Sequence, residues 1–189
     1  MNYLYLTLTK SKIQYIYNMY LNLITMASEH SMDISVNFDF QELKNAVDQA
    51  KREATNRFDL KDAGIELNLT EESLKITAKA DIQIESVFTI LSKKLMGRNL
   101  SSKILDRKKI EEIGGMKVRQ EMTLVKVLDK ENAKLISKKI KENFDKVKPN
   151  IQGETIRVSS KSINDLQAVQ QMLNNDESIE VPLSFANYK

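Results

Sequence analysis

The sequence predicts an α+β fold in which the order strand, helix, strand, strand, helix, strand occurs twice. Apolar and polar residues alternate over several stretches of the 189-residue chain, which is typical of strands with one buried face. Between these stretches, apolar residues recur at three- and four-residue spacing, which is typical of helices that pack on one side. This order repeats once, and each copy, at about 70–80 residues, is long enough for a small core.

The first copy begins with a strand predicted over residues 32–38, in which every second residue is apolar: Met32, Ile34, Val36 and Phe38. Because alternate strand residues face opposite sides of a sheet, the intervening residues are expected to face solvent: Asp33, Ser35 and Asn37. Asp39 is placed to cap the next helix, whose apolar stripe comprises Leu43, Ala46, Val47, Ala50, Ala54 and Phe58.

Two further strands, over 65–69 and 74–78, follow as a hairpin. Asp81 is predicted to cap a second helix, and Gly97 is predicted to end it. A short fourth strand over 102–105 completes the first copy.

The second copy starts with a long strand over 116–127, after a turn at Gly114 and Gly115. Asp129 is placed to cap the next helix, which has an apolar side with Ala133, Ile136, Ile140 and Phe144. A hairpin with strands over 147–152 and 155–160 is predicted around Gly153, which can adopt the left-handed backbone conformation of a tight turn. Ser162 or Asn164 can cap the last helix, and a last strand lies around Leu183 and Phe185.

Residues 1–31 differ from the rest of the chain. Residues 1–25 hold five of the six tyrosines and carry no charged residue besides Lys10 and Lys12. Polar residues interrupt the apolar runs, so neither a membrane-spanning segment nor a secretory signal is predicted there. We expect residues 1–31 to be an extension with little ordered structure.

The composition argues against most enzyme classes. The chain has no cysteine and one histidine, His30, so disulfides, thiolate chemistry and histidine clusters for a metal are excluded. This fits a reducing compartment, and we expect a cytoplasmic protein with no membrane partner. The five glycines are too scattered for a phosphate-binding loop. The carboxylate pairs Glu71–Glu72 and Glu111–Glu112 are expected in solvated turns, so no catalytic residue, metal site or cofactor is predicted.

Positive charge is concentrated in one part of the chain. The net charge is only +3, yet residues 91–150 contain 17 Lys and Arg against 8 Asp and Glu. Such a region can bind nucleic acid through phosphate contacts, and the candidate residues are Lys134, Lys138, Lys139 and Lys141. The alternative is that these lysines only solvate a helix face. Base stacking is not predicted, because the outward strand positions are polar and the phenylalanines face inward.

A second basic feature lies at the predicted hairpin. Arg157 is expected to face outward, and Lys161 follows at the start of the last helix. Helix N-termini carry partial positive charge and free N–H groups, so this corner suits a phosphate. Lys117 and Arg119 offer a second outward pair. The alternative for Arg157 is a surface ion pair, which contributes about 0–1 kcal/mol.

Several short segments together resemble the YajQ family of small bacterial proteins. They are MDISVNFDFQEL at 32–43, NAVD at 45–48, RFD at 57–59, KKI at 138–140, IQG at 151–153 followed by Arg157, Val158 and Lys161, DLQ at 165–167 and PLSF at 182–185. The resemblance covers about residues 26–189. One departure is Ser160, which stands where the family usually has glycine.

The resemblance implies two ferredoxin-like βαββαβ sandwiches that exchange their N-terminal strands. The first domain would comprise 39–127, including the strand 116–127, and the second would comprise 32–38 plus 128–189. It also implies a non-catalytic protein that binds a nucleotide (GTP, ATP or cyclic di-GMP) and acts on transcription through a protein partner. Binding of RNA through the basic 91–150 region is the alternative, and a nucleotide-processing enzyme is the least supported, since no catalytic constellation is visible.

Overall fold

The computed structural model describes residues 29–189. In this part of the chain, four helices and eight strands follow one another in the order β1 (His30–Ser35), α1 (Phe40–Asn56), β2 (Glu66–Leu69), β3 (Ser73–Ala78), α2 (Asp81–Met96), β4 (Leu105–Ile113), β5 (Lys117–Leu124), α3 (Lys130–Asn143), β6 (Lys148–Gln152), β7 (Thr155–Ser160), α4 (Ile163–Asn175) and β8 (Ser184–Ala186). The predicted α+β class is confirmed. The predictions for residues 1–28 lie outside the described residues.

The strands form two four-stranded antiparallel sheets. The first sheet has the order β2-β3-β5-β4, and the second has the order β6-β7-β1-β8. Strand β1 lies inside the second sheet, where it pairs with β7 on one side and with β8 on the other. Its register with β7 places Asp33 opposite Arg157 and Ile34 opposite Ile156. The second sheet therefore combines strands from the two ends of the described chain.

Each sheet packs two helices against one face, and the apolar side chains between them form two cores. The first core joins its sheet to α1 and α2, and its fully buried members include Leu43, Ile76, Leu91 and Met122. The second core joins its sheet to α3 and α4, and its fully buried members include Met32, Ile34, Ile136, Val158 and Val169. Burial of an aliphatic side chain of this size contributes about 1.5–3 kcal/mol, so these two cores hold the helices on the sheets.

The predicted caps of α1 and α3 and the Gly153 turn are confirmed. The Asp39 carboxylate accepts the Gln41 N–H at 2.7 Å, and the Asp129 carboxylate accepts the Asn132 N–H at 2.7 Å. This backbone hydrogen bond lowers the pKa of Asp129, because it stabilises the charged form. Gly153 has φ +62° between β6 and β7, a conformation that other residues adopt only with strain.

Several predicted strand boundaries are wrong. Strand β1 begins at His30 and ends at Ser35, instead of covering 32–38. The segment predicted as a strand over 102–105 forms a 3₁₀ turn at Ser102–Ile104, and the strand β4 follows it. The alternation was misleading at β4 because this edge strand carries charged residues on both faces and a bulge between Arg107 and Ile110.

The predicted position of the carboxylate pair Glu111–Glu112 is also wrong. Both residues lie on the strand, opposite Arg119 and Val118 of β5, and not in the predicted turn. The turn itself contains Gly114, Gly115 and Met116, so β5 is shorter at both ends than the predicted strand over 116–127.

Two predictions about helix ends are also wrong. Helix α1 ends at Asn56, so Phe58 is not part of its buried stripe, and this ring is 96% exposed. The neighbouring Arg57 and Asp59 side chains join through hydrogen bonds of 3.0 and 2.7 Å, within a turn that follows the helix. The N-cap of α2 is Ala80 and not Asp81; the Gln83 carboxamide oxygen accepts the Ala80 N–H at 3.1 Å.

Strand β1 supplies a direct test of the second sheet. Ile34 is fully buried between Ile156 and Phe185 of the neighbouring strands, so we expect Ile34→Ala to lower the free energy of unfolding by about 2–5 kcal/mol. The matched control is Ile151→Ala on the edge strand β6, where the side chain is 40% exposed and the expected loss is smaller. Chemical denaturation of both variants measures the difference, and equal losses would contradict the central position of β1.

Candidate functional site

The face of the second sheet that points away from α3 and α4 carries polar side chains. We call it the polar face, and it comprises Ser31, Asp33, Ser35, Lys148, Asn150, Gln152, Thr155, Arg157 and Ser159. The strand register arranges these side chains in rows: Asn150, Arg157 and Asp33 are successive cross-strand neighbours. The polar face has no aromatic side chain, so its chemistry is that of hydrogen bonds and charge.

Arg157 and Asp33 form a bidentate pair at the centre of this face. The guanidinium donates from Nε and Nη2 to the two carboxylate oxygens at 2.8 and 2.9 Å, and Asn187 donates to the same carboxylate at 2.9 Å. Asp33 is only 7% exposed. The Arg157 hydrogen bond is the main cause that lowers the pKa of Asp33. The pair fixes the orientation of the guanidinium and leaves Nη1 without a hydrogen bond among the described residues.

Lys161 follows strand β7 and is exposed, without an ion pair in the described part of the chain. The N-terminus of α4 next to it already holds a carboxylate of the chain itself. The Ser160 hydroxyl donates to Asp165 at 3.0 Å and accepts the Ser162 N–H at 3.2 Å. Ser162 is the N-cap by position, but its own hydroxyl makes no capping bond. The Ser160 hydroxyl thus occupies the Ser162 N–H, one of the donors expected to be open to a phosphate.

Lys117 and Arg119 lie on β5 of the first sheet, so they do not share a sheet with Arg157 and Lys161. The Lys117 ammonium pairs with Glu66 at 2.9 Å. Arg119 is half-buried and lies between Thr77 and Glu111 in the strand register. The four candidate cations therefore belong to two separate places.

The lysines of α3 divide into two groups. Lys134 and Lys141 are exposed, and Lys138 makes only a 3.7 Å pair with Glu142 one turn along the helix. Lys139 is different, because its ammonium bonds to Asp176 and, at 2.8 Å, to the Ser178 hydroxyl. This contact lowers the pKa of Asp176 to about 2. Lys139 thus anchors the loop after α4 and does not contribute a free charge to a basic patch.

A groove of about 670 Å³ lies between parts of the chain that are distant in sequence. One wall contains Ser102, Lys103, Leu105, Asp106, Arg107 and Val125. The other contains Asp129, Asn132 and Leu135 at the start of α3, and Glu177, Glu180 and Val181 after α4. Its volume lies in the range of ordinary ligand sites.

The Arg107 side chain lines this groove and is held in place by several contacts. Its guanidinium stacks on the Phe88 ring at 4.1 Å, pairs with Glu85, and donates to the Gln120 carboxamide at 3.0 and 3.2 Å. Gln120 is 5% exposed and in turn donates to the Lys108 carbonyl at 2.8 Å.

Comparison with known proteins supports the resemblance that the sequence segments indicate. The family model described as "Nucleotide-binding protein YajQ-like" matches residues 30–189. The chain belongs to this family. Relatives from Synechococcus elongatus, Trichodesmium erythraeum and Nostoc punctiforme are each 48% identical over 164 residues, which is 87% of this chain and 100% of theirs. Each of them is described as a nucleotide-binding protein.

The groove is the feature of this YajQ-like chain that sequence patterns missed. Its walls come from four segments, so spacing along the chain gives no signal for it. One signal existed at Gln120, a polar residue on the inward alternation of β5 that has to find a partner in the core.

Within residues 29–189, no group of three or more metal-ligating side chains is arranged to hold an ion. No helix in the same range is long and apolar enough to cross a membrane.

The Lys139–Asp176 pair predicts a specific dependence of stability on pH. Because the folded state lowers the pKa of Asp176 from 3.8 to about 2, the pair stabilises the fold above about pH 4 and this contribution is lost as the pH falls toward 2. We expect Lys139→Met to be less stable than the wild type at pH 6, with the difference shrinking between pH 4 and 2. Urea denaturation at several pH values measures it.

The control for this experiment is Lys138→Met, which removes only the long surface pair with Glu142. Its stability curve should run close to that of the wild type at every pH. A wild-type and a Lys139→Met curve that stay parallel down to pH 2 would contradict the assignment.

Proposed function

We propose that this chain is a non-catalytic, cytoplasmic nucleotide-binding protein that responds to GTP, ATP or cyclic di-GMP and acts on transcription through a protein partner. Membership in a family named for nucleotide binding supports the ligand class. The polar face supplies a surface on which hydrogen bonds and charge can recognise such a ligand.

We also propose the domain arrangement that the family resemblance implies. If β5 is counted as the first strand of the first unit and β1 as that of the second, the sheet orders β4-β5-β3-β2 and β8-β1-β7-β6 are the same pattern. This equivalence supports two ferredoxin-like units that exchange strands, with a first domain at 39–127 and a second at 32–38 plus 128–189. Strand β1 adds His30 and Ser31 to the second.

The observation that carries the functional proposal is the orientation of Arg157. Its guanidinium is fixed by Asp33, lies on the polar face and has no partner for Nη1 among residues 29–189. Lys161, four residues along the chain, adds an ammonium that makes no ion pair within the same range. We assign the phosphate of the nucleotide to these two residues. Lys117 and Arg119 are the weaker pair, since Glu66 already neutralises Lys117.

One observation favours RNA as a second candidate ligand. Lys134, Lys138 and Lys141 are exposed along α3, and of the three only Lys138 makes an ion pair within the described part of the chain. Three such ammonium groups can contact successive phosphates without base recognition. Binding of this kind weakens steeply with salt concentration, whereas binding of one nucleotide at the polar face depends on salt much less.

Lys161→Ala is the decisive variant for the nucleotide site. Loss of one charge-assisted hydrogen bond weakens binding by roughly 1.5–3 kcal/mol, or about 10- to 150-fold. The melting temperature should not change, because Lys161 makes no ion pair among the described residues. Isothermal titration calorimetry with GTP, ATP and cyclic di-GMP measures the affinity, and Lys61→Ala, another exposed lysine, is the control.

Arg157→Ala should lower nucleotide affinity and stability together, because it leaves the buried Asp33 carboxylate without its main partner. It therefore supports the site only in combination with Lys161→Ala. Wild-type affinity in Lys161→Ala would remove the polar face as the phosphate site. Failure of the wild type to bind any of the three nucleotides would contradict the proposed function itself.

A further inference from the structure

The groove lined by residues 102–107, Val125, the start of α3 and the loop after α4 has walls that are joined by a hydrogen bond. The Lys103 ammonium on one wall donates to the Ile179 carbonyl on the other at 2.6 Å. The loop that forms the second wall is anchored in turn, since Asp176 accepts the Ser178 N–H at 3.0 Å and its hydroxyl at 2.7 Å, and Lys139 bonds to both residues. A loop with this many internal hydrogen bonds keeps its shape before a ligand arrives, which reduces the cost of ordering on binding.

Part of the groove lining is apolar. Leu105 and Val181 are buried, Val125 is half-buried, and the Leu135 side chain remains 38% exposed on α3. An apolar centre surrounded by polar groups is the usual anatomy of a protein-binding surface.

The charged residues of the groove lining that have no cationic partner in the described chain are acidic. Asp129, Glu177 and Glu180 have no cationic partner among residues 29–189, and Asp106 pairs with Lys108. The two cations in the lining are both occupied by the chain itself: Lys103 by the Ile179 carbonyl, and Arg107 by Glu85 and Gln120. The charges left for a ligand are therefore negative.

We propose that this groove binds a short basic segment of a partner protein, in which apolar side chains alternate with Lys or Arg. The apolar side chains would contact Leu135 and Val125, and the cationic ones would meet Glu177, Glu180 and Asp129. The acidic residues of the lining disfavour a phosphate-bearing ligand here, so the groove and the proposed nucleotide site select opposite charges. The groove is a different surface from the proposed nucleotide site, so peptide binding in the groove does not depend on nucleotide binding at the polar face.

The test uses a fluorescein-labelled synthetic peptide that alternates leucine with lysine, titrated with the full chain and followed by fluorescence anisotropy. We expect saturable one-to-one binding. The double variant Glu177→Lys with Glu180→Lys should bind at least about tenfold more weakly, because two attractive contacts become repulsive. Both side chains are exposed and make no ion pair in the described chain, so the variant should fold, which circular dichroism checks.

Two further measurements separate groove binding from general attraction to an acidic surface. Glu154→Lys changes an exposed carboxylate in the turn between β6 and β7 and should leave peptide binding unchanged. Leu135→Ser should weaken it, and so should replacement of the peptide leucines by serine. Equal effects of the Glu154 and groove variants, or no binding to the wild type, would overturn the proposal. Self-association that the groove variants abolish would overturn it too, since the occupant would then be a second copy.

Discussion

The insertion of β1 between β7 and β8 is the constraint on which the second half of the structure depends. These two strands meet only through β1, and Met32 and Ile34 of β1 are fully buried in the second core. Asp33, between them, binds Arg157 across 124 residues of sequence and Asn187 across 154. Closing such long loops costs conformational entropy, which the buried contacts of β1 offset. The second core and the polar face are therefore complete only where the start of the described chain lies between β7 and β8.

The parts of the fold that the sequence predicts are those set by neighbouring residues. Asp39 and Asp129 cap helices because their carboxylates reach N–H groups two or three residues away, and Gly153 turns the chain because it lacks a side chain. Alternation finds the buried face of β1, yet it contains no information on which strand lies beside that face. The same limit explains β4, whose charged edge position and bulge remove the alternation on which strand prediction relies.

The sequence predicts which residues could form the candidate sites, but it does not predict which of their charges are paired within the folded chain. The outward direction of Arg157 follows from the alternation of residues along a strand. No local sequence pattern indicates that Asp33 is its partner. Lys139 belongs by spacing to a lysine-rich helix, and the folded chain uses it to anchor the loop at Asp176. The sequence does not predict the groove, since its lining comes from four segments that are distant along the chain. Counting cations in a sequence thus overstates the positive charge that a ligand meets.

Paired and unpaired charges have different roles on the two proposed binding surfaces. The Asp33–Arg157 and Lys139–Asp176 pairs add no net charge, yet both lower a carboxylate pKa and both hold a surface in one shape. Discrimination between ligands then depends on the groups that remain unpaired in the described chain. Next to the polar face these groups include Lys161, a cation, and in the groove they include Glu177 and Glu180, which are anions. Because long-range fields from either set are screened within about 8–10 Å at physiological salt, each surface can select its own ligand by charge within one small chain.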